Sequence, residues 1–148
     1  MTFDFRINTA TSAELTSHLT KCSDDFIPSL SSRIDIPEYA RKISKHAVRF
    51  EAWDHELVGL VAAYHDVDAH SAFITNVSVL MSHRSRGIAS HLLNASSDHF
   101  ASTGVRRITL EVDTGNSKAV SLYLAHGFTV AGEAGQTMTL VQIMGARK

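Results

Sequence analysis

The stretch from His83 to Leu93, His-Arg-Ser-Arg-Gly-Ile-Ala-Ser-His-Leu-Leu, constrains the fold of this chain more than any other. It sets a basic, small-residue turn between an apolar strand-like run, Ala72 to Met81, and an amphipathic helix. A helix begun this way has first-turn N–H groups without partners inside it, pointing out along its dipole. Small side chains at Ser85, Gly87, Ala89 and Ser90 leave its backbone approachable, with Ile88 turned to the helix's apolar stripe. Such a helix start is an anion site, and phosphate suits it. Arg84 and Arg86 add charge-assisted contacts. The competing reading is a plain turn that contains a glycine.

The rest of the chain supplies a layered frame around this segment. Phe3, Phe5 and Ile7 alternate with polar residues, as a strand does. Thr11-Ser-Ala-Glu14 is a capping-box pattern that predicts a helix from about Ser12 to Lys21. Asp35-Ile-Pro-Glu38 opens a second helix, reaching about Ala47. Apolar runs at Val48 to Trp53, Leu57 to Tyr64 and Ala72 to Met81, separated by short polar turns, read as an antiparallel meander. A broad helical stripe from Gly87 ends at Gly104, Arg107 to Val112 alternates as a strand, and a short helix spans Asn116 to His126 before two final strands. The order β-α-α-β-β-β-α-β-α-β-β predicts an α/β fold of the α+β type: a mostly antiparallel mixed sheet flanked by helices. At 148 residues, residues 1–148 are expected to form one domain.

Composition narrows the partners. A net charge of −1 lacks the basic excess that nucleic acid binding draws on. An anionic ligand must therefore be held by local charge, from Arg84, Arg86 and Lys118. No apolar run approaches the length of a membrane span, and no secretory signal opens the chain, so no membrane partner is expected. The single cysteine, Cys22, excludes an intrachain disulfide and agrees with a cytoplasmic location. Nine histidines are many, but none falls in a metal-binding pattern, so no metal is expected.

Arg84-x-x-Gly87-x-Ala89 resembles the Gln/Arg-x-x-Gly-x-Gly/Ala signature of the GNAT superfamily of N-acetyltransferases. A second block, Leu110-Glu111-Val112 followed by Asn116-x-x-Ala119-x-x-Leu122-Tyr123-x-x-x-Gly127-Phe128, is similar to the strand, helix and strand that follow that signature in the family. The two blocks cover about Phe73 to Val130. The resemblance implies an acyl-CoA N-acyltransferase-like fold with acetyl-CoA as cosubstrate and its pyrophosphate at Arg84, Ser85, Arg86, Gly87, Ile88, Ala89 and Ser90. It further implies that the strands holding Phe73 and Arg107 start side by side and splay apart. The pantetheine arm then pairs with the main chain at Val77 and Val79, and Asn116 and Tyr123 also adjoin the cofactor. One departure is Ser85, where the family often has glycine.

Acetyl transfer to an amine needs an unprotonated amine, donors for the carbonyl oxygen, a proton for the thiolate and alignment of the reactants. The resemblance assigns the oxyanion contact to a backbone N–H near Val79 and the proton donor to Tyr123. The alternative for Tyr123 is a core tyrosine packed with Ala119 and Val120. Glu111 stands twelve residues before Tyr123, as in ribosomal-protein N-terminal acetyltransferases, where the matching glutamate deprotonates the amine. To act near neutral pH it needs partial burial. A solvated strand carboxylate is the other reading, and Asn76, His65 and Asp113 are lesser base candidates. The resemblance assigns the acceptor site to the loop from Ser23 to Asp35 and nearby strand ends, with Phe26, Ile27 and Arg33 as lining and Asn76 beside them; the other reading of the loop's apolar residues is that they pack on the core.

The resemblance thus implies an N-acetyltransferase that moves an acetyl group from acetyl-CoA to a primary amine, expected to be that of a small molecule, by direct attack in a ternary complex. A protein N-terminus is the alternative acceptor, favoured by the Glu111–Tyr123 spacing. A non-catalytic acyl-CoA sensor or partner-binding module would keep the 84–89 turn but need neither Tyr123 nor Glu111. Self-association as a homodimer is left open.

Overall fold

The computed structural model describes residues 3–144. The elements follow the expected order: β1 (Asp4–Ile7), α1 (Ser12–Cys22), α2 (Ile36–His46), β2 (Ala47–Trp53), β3 (Leu57–Asp66), β4 (Ser71–Val79), α3 (Ile88–Ser102), β5 (Arg107–Asp113), α4 (Ser117–Ala125), β6 (Thr129–Ala134) and β7 (Thr137–Ile143). Short 3-10 turns stand at Ser23–Asp25, Leu30–Ser32 and Met81–His83. Local chemistry accounts for several boundaries. The Thr11 hydroxyl accepts from the Glu14 N–H at 3.2 Å, and the Glu14 carboxylate accepts from the Thr11 N–H at 2.9 Å, which starts α1. Asp35 caps α2 by accepting from the Glu38 N–H.

The sheet has the order β1-β2-β3-β4-β5-β7-β6. Its neighbours pair antiparallel except β4 and β5, which are parallel with α3 as their crossover. Leu15, Leu19 and Ile43 of α1 and α2 form one core with Trp53, Leu60 and Ala62. On the other face, Ile88, Leu92 and Phe100 of α3 and Tyr123 of α4 pack with Phe50, Val61 and Leu110. β3 lies between the two cores, so its residues 57–63 are all buried. This explains its near-continuous apolar sequence.

Two features inside this frame are invisible to simple patterning. A Cβ at Gly59 would lie 2.5 Å from Ile88 Cγ2, so the glycine is what lets the start of α3 settle on β3. The run read as apolar from Val48 to Trp53 also carries a buried ion pair. Glu51 is wholly buried and accepts from the Thr9 and Ala10 N–H groups, the Thr9 hydroxyl and Trp53 Nε1. Arg49 lies 3.5 Å from it and donates to the carbonyls of Ser44 and Ala10. Together they tie the chain entering α1 and the end of α2 to β2.

Candidate active site

One extra residue shapes the site. The β3–β4 register pairs Ala62 with Asn76 and Ala63 with Ile74, which leaves Thr75 as a bulge. Pairing of β4 with β5 runs from Ser71↔Arg107 to Ile74↔Leu110 and stops at that bulge. A bulge bends its strand and increases its twist. Beyond it the two strands diverge around a cavity of ≈ 710 Å³ lined by 74–79 of β4 and 110–113 of β5. Tyr39 of α2 supports the bulge by donating its hydroxyl proton to the Thr75 carbonyl at 2.9 Å, with Thr75 Oγ1 2.7 Å away.

The bulge also changes which way β4 faces. Ala72 and Ile74 belong to the core under α3. Past Thr75, Asn76 and Ser78 stand opposite Ala62 and Leu60, on the face of α1 and α2. Val77 and Val79 take the α3 side. The Leu80 N–H donates to Val58 O at 2.9 Å, so strand alternation turns the N–H groups of Val79 and Val77 away from β3 and toward the open cleft.

At one end the cavity meets the start of α3. Ser85 has φ +64° and Gly87 φ +78°, so the chain passes through the left-handed region on either side of Arg86. That conformation explains why glycine suits position 85: a serine there is strained. Gly87 caps α3 with no side-chain hydrogen bond, leaving the first-turn N–H groups exposed to the cavity rim. A Cβ on Gly87 would meet no atom within 4 Å, so the space beside that backbone is open to a ligand.

Neighbours hold this turn. His83 Nε2 lies 2.8 Å from Asp54 Oδ2 in the β2–β3 turn. This hydrogen bond keeps the Asp54 carboxyl below the usual carboxylate range. His126, just after α4, reaches Ser90 Oγ through Nε2 at 3.0 Å and Asn94 Oδ1 through Nδ1 at 3.2 Å. Arg84 forms an ion pair with Asp25 from the α1–α2 connection and donates through Nε to Val79 O at 3.4 Å.

The structure gathers most residues singled out from sequence around this one cavity. Val77, Val79, Arg84, Ser85, Gly87, Ile88, Ala89, Ser90, Glu111, Asn116 and Tyr123 all line it. So do Phe26, Ile27, Arg33, Asn76 and Asp113. Four positions need correction. Arg86, within the turn, does not line the cavity, and its charge acts on Asp54. Lys118 is exposed away from the lining. His65 packs edge-on against Phe100, remote from the cleft. Glu111 lacks the partial burial expected of it: it is exposed, and its carboxylate has no hydrogen-bond partner among the described residues. Asn116 lines the cavity while its Oδ1 accepts from the Ala119 N–H as the cap of α4.

Tyr123 is buried, edge-on to Phe128, and burial pushes its phenol up to about 12. Its hydroxyl has no hydrogen-bond partner among the described residues, and the residue faces the cavity. Sequence reasoning missed Tyr39, Thr75, His18 and Ser78. The available signal was the pair Asn76 and Ser78, two polar residues sharing one face of an otherwise apolar run. Among the described residues no three or more His, Cys, Asp or Glu side chains cluster as metal ligands, and no helix is long and apolar enough to cross a membrane.

Solved structures share this fold along the whole chain. Aminoglycoside 6'-acetyltransferase type Ii superposes with a TM-score of 0.79 at 17% identity, covering 100% of both chains. The PaiA N-acetyltransferase of Thermoplasma acidophilum, solved in complex with coenzyme A, gives 0.75 at 15% identity over 97% of this chain and 99% of its own. The ribosomal-protein-alanine N-acetyltransferase of Escherichia coli gives 0.73 at 16% over 98% and 97%. At these identities the likeness is one of fold. The mycothiol acetyltransferase of Corynebacterium glutamicum is 35% identical in an alignment of 83 positions that covers 53% of this chain and 27% of that protein, so the match spans about a quarter of its length. The acetyltransferase (GNAT) family matches residues 14–128, from within α1 to the end of the Gly127-Phe128 pair and across both blocks that carry the sequence resemblance. On that match the chain belongs to the GNAT family of acetyltransferases.

Proposed function

We propose that this chain is an acetyl-CoA-dependent N-acetyltransferase whose acceptor is a primary amine of a small molecule. The observation that carries this reading is the continuity of one cavity from the uncapped start of α3, through the parting of β4 and β5, to the α1–α2 side. The residues present fit acetyl-CoA. The open space at Gly87 and the exposed N–H groups of Ile88, Ala89 and Ser90 suit a pyrophosphate, with Arg84 beside them. The main-chain groups of β4 that β5 leaves unpaired suit the amides of the pantetheine arm.

In this arrangement the acetyl thioester supplies the electrophilic carbonyl. The Val79 N–H stands ready for its oxygen, and one such donor is worth about 3–4 kcal/mol of barrier in other acyl-transfer sites. The amine forms a C–N bond as the C–S bond breaks. Tyr123 stays protonated and has its hydroxyl free for the departing sulfur. The same dry surroundings disfavour a bare thiolate, which raises the thiol as well and narrows the gap between the two acids. The amine proton leaves through water at the exposed edge of the cleft, where Glu111, short of the burial expected of a base, can relay it.

The apolar wall from Phe26 and Ile27, and the relative named for mycothiol, favour a small acceptor. The presence of both Glu111 and Tyr123 on the cavity supports a second reading, acetylation of a protein N-terminus. An assay of released coenzyme A thiol across amines and N-terminal peptides tests both. Turnover of small amines above peptides is expected, with Gly87→Trp weakening coenzyme A binding by more than tenfold in calorimetry. Wild-type affinity in Gly87→Trp, or no turnover on any acceptor, would refute the reading.

A further inference from the structure

The cavity proposed for a polyanionic cofactor holds a carboxylate against its own arginine. Among the described residues, Arg33 and Arg84 are the only lysine or arginine side chains on the lining. Arg33 belongs to the α1–α2 connection, and His83 is engaged by Asp54, so positive charge at the α3 end of the lining rests on Arg84. That guanidinium is already occupied. Its Nη2 pairs with the Asp25 carboxylate and its Nε donates to Val79 O at 3.4 Å, so the side chain lies back against the end of β4. Asp25 ends the 3-10 turn at Ser23–Asp25 and also lines the cavity, directly before Phe26 and Ile27 of the proposed acceptor wall.

Neighbouring side chains do not stand in for either partner. Burial pushes the Cys22 thiol up to about 12, with Asp25 adding to the rise and Arg84 opposing it, so Cys22 feels both charges yet stays neutral. His18 is engaged through Nδ1 with the Leu57 carbonyl at 2.9 Å and through Nε2 with Ser78 Oγ at 2.8 Å. The Arg84 and Asp25 side chains are 41% and 26% exposed, and an ion pair this open is held loosely. A diphosphate brings more negative charge and bidentate acceptors to the same guanidinium. An Asp25 carboxylate left in place beside it would face phosphate oxygens of like charge.

We propose that Asp25 changes partners during binding: it holds Arg84 in the free protein, yields it to the cofactor pyrophosphate, and then offers its freed carboxylate to the cationic form of the incoming amine. The inference rests on the N-acetyltransferase reading. A primary alkyl amine is mostly protonated near neutral pH, as a lysine side chain is. Asp25 draws that ammonium to the wall of Phe26 and Ile27, and its proton leaves through water before the nitrogen attacks. Asp25 itself binds and takes no part in bond making. The exchange gives one charge opposite effects on the two ligands: it opposes the cofactor and favours the amine.

Asp25→Asn keeps the size of the side chain and removes its charge. By calorimetry this variant should bind coenzyme A about two- to fivefold more tightly than wild type, the range of an open ion pair. In the Arg84→Gln background the same substitution should gain less than about 1.5-fold. Asp24→Asn is the control, because Asp24 carries the same charge one residue away, is exposed and does not line the cavity. It should leave the affinity within about 1.5-fold of wild type. In the coenzyme A thiol assay, with the amine that wild type turns over best, Asp25→Asn should raise the amine KM about two- to fivefold, with the effect in KM rather than kcat. A residue that merely shaped the loop would weaken both ligands. Equal or weaker coenzyme A binding by Asp25→Asn, a gain that persists without Arg84, or an unchanged amine KM overturns the inference while the wild type still binds coenzyme A and acetylates an amine. A wild type that fails to bind coenzyme A or to turn over any amine overturns the acetyltransferase reading and this inference with it.

Discussion

Replacing Gly59 with alanine places a methyl carbon 2.5 Å from Ile88 Cγ2 and 3.3 Å from both Ala52 Cβ and Leu92 Cδ1. Carbon atoms rest at about 3.5–4.0 Å, so Ile88 or the strand beneath it must move by roughly 1 Å. Ala52 and Leu92 close the other sides, and Ile88 is the first residue of α3, anchored in the core. Overpacking of this kind costs about 1–3 kcal/mol. The displacement acts on the residue next to Gly87, at the N–H groups proposed to meet the pyrophosphate. A hydrogen bond to a charged group is worth about 1.5–3 kcal/mol, so losing one lowers coenzyme A affinity by roughly ten- to a hundredfold. Urea denaturation measures the first effect and calorimetry with coenzyme A the second. Gly132→Ala is the control, because a Cβ there meets nothing within 4 Å. It should leave both quantities near wild type. A Gly59→Ala protein with wild-type stability and affinity would refute the idea that this glycine sets the seat of α3 and, through it, the anion cradle.

Three further outcomes follow from groups at or near the cleft. His18 is lowered from 6.5 to about 4, so between those values the folded protein binds fewer protons than the unfolded chain. Its stabilising contribution is full above about pH 6.5 and is lost as pH falls toward 4, by up to about 3 kcal/mol, and urea melts of His18→Gln should show a flatter pH dependence there. Parallel curves for the two proteins would sink that account. Tyr123→Phe removes a hydroxyl with no partner among the described residues, so stability and coenzyme A affinity should hold while kcat drops by roughly 10–10³-fold. An unchanged kcat and pH–rate profile would mean that water or the acceptor supplies the proton to sulfur. Glu111→Gln should slow turnover with little change in coenzyme A affinity and recover at high pH, where the amine is already neutral; equal rates at every pH would leave Glu111 a solvated strand carboxylate.

The parts of this molecule legible from sequence are those written in short stretches of chain. The Thr11–Glu14 box, the Asp35 cap and the strand-to-helix turn at Gly87 each need only neighbouring residues, and each stands where the pattern placed it. The part of the cavity lining proposed to meet the cofactor was equally readable, because the turn and the Tyr123 block are compact motifs. What escaped depends on pairing between distant segments. Arg49 and Glu51 sit in a run that reads as apolar because their partners, Thr9, Ala10 and Ser44, come from elsewhere in the chain. Asp25 opposite Arg84 is likewise a contact between remote loops. Thr75 is the most consequential case. Alternation along β4 predicts that Ile74, Asn76 and Ser78 share a face, yet the bulge sends Ile74 to one core and the two polar residues to the other. The same bulge ends the pairing with β5. The opening of the cleft and the delivery of Asn76 and Ser78 to its α1–α2 side thus have one cause, set by the register of β4 against β3. A period-2 pattern fails at that position because the period itself changes there. His18 offered a second hint, a lone polar residue among Leu15, Leu19 and Cys22 on the buried stripe of α1. Buried polar residues on two separate elements need partners, and here each is the partner of the other.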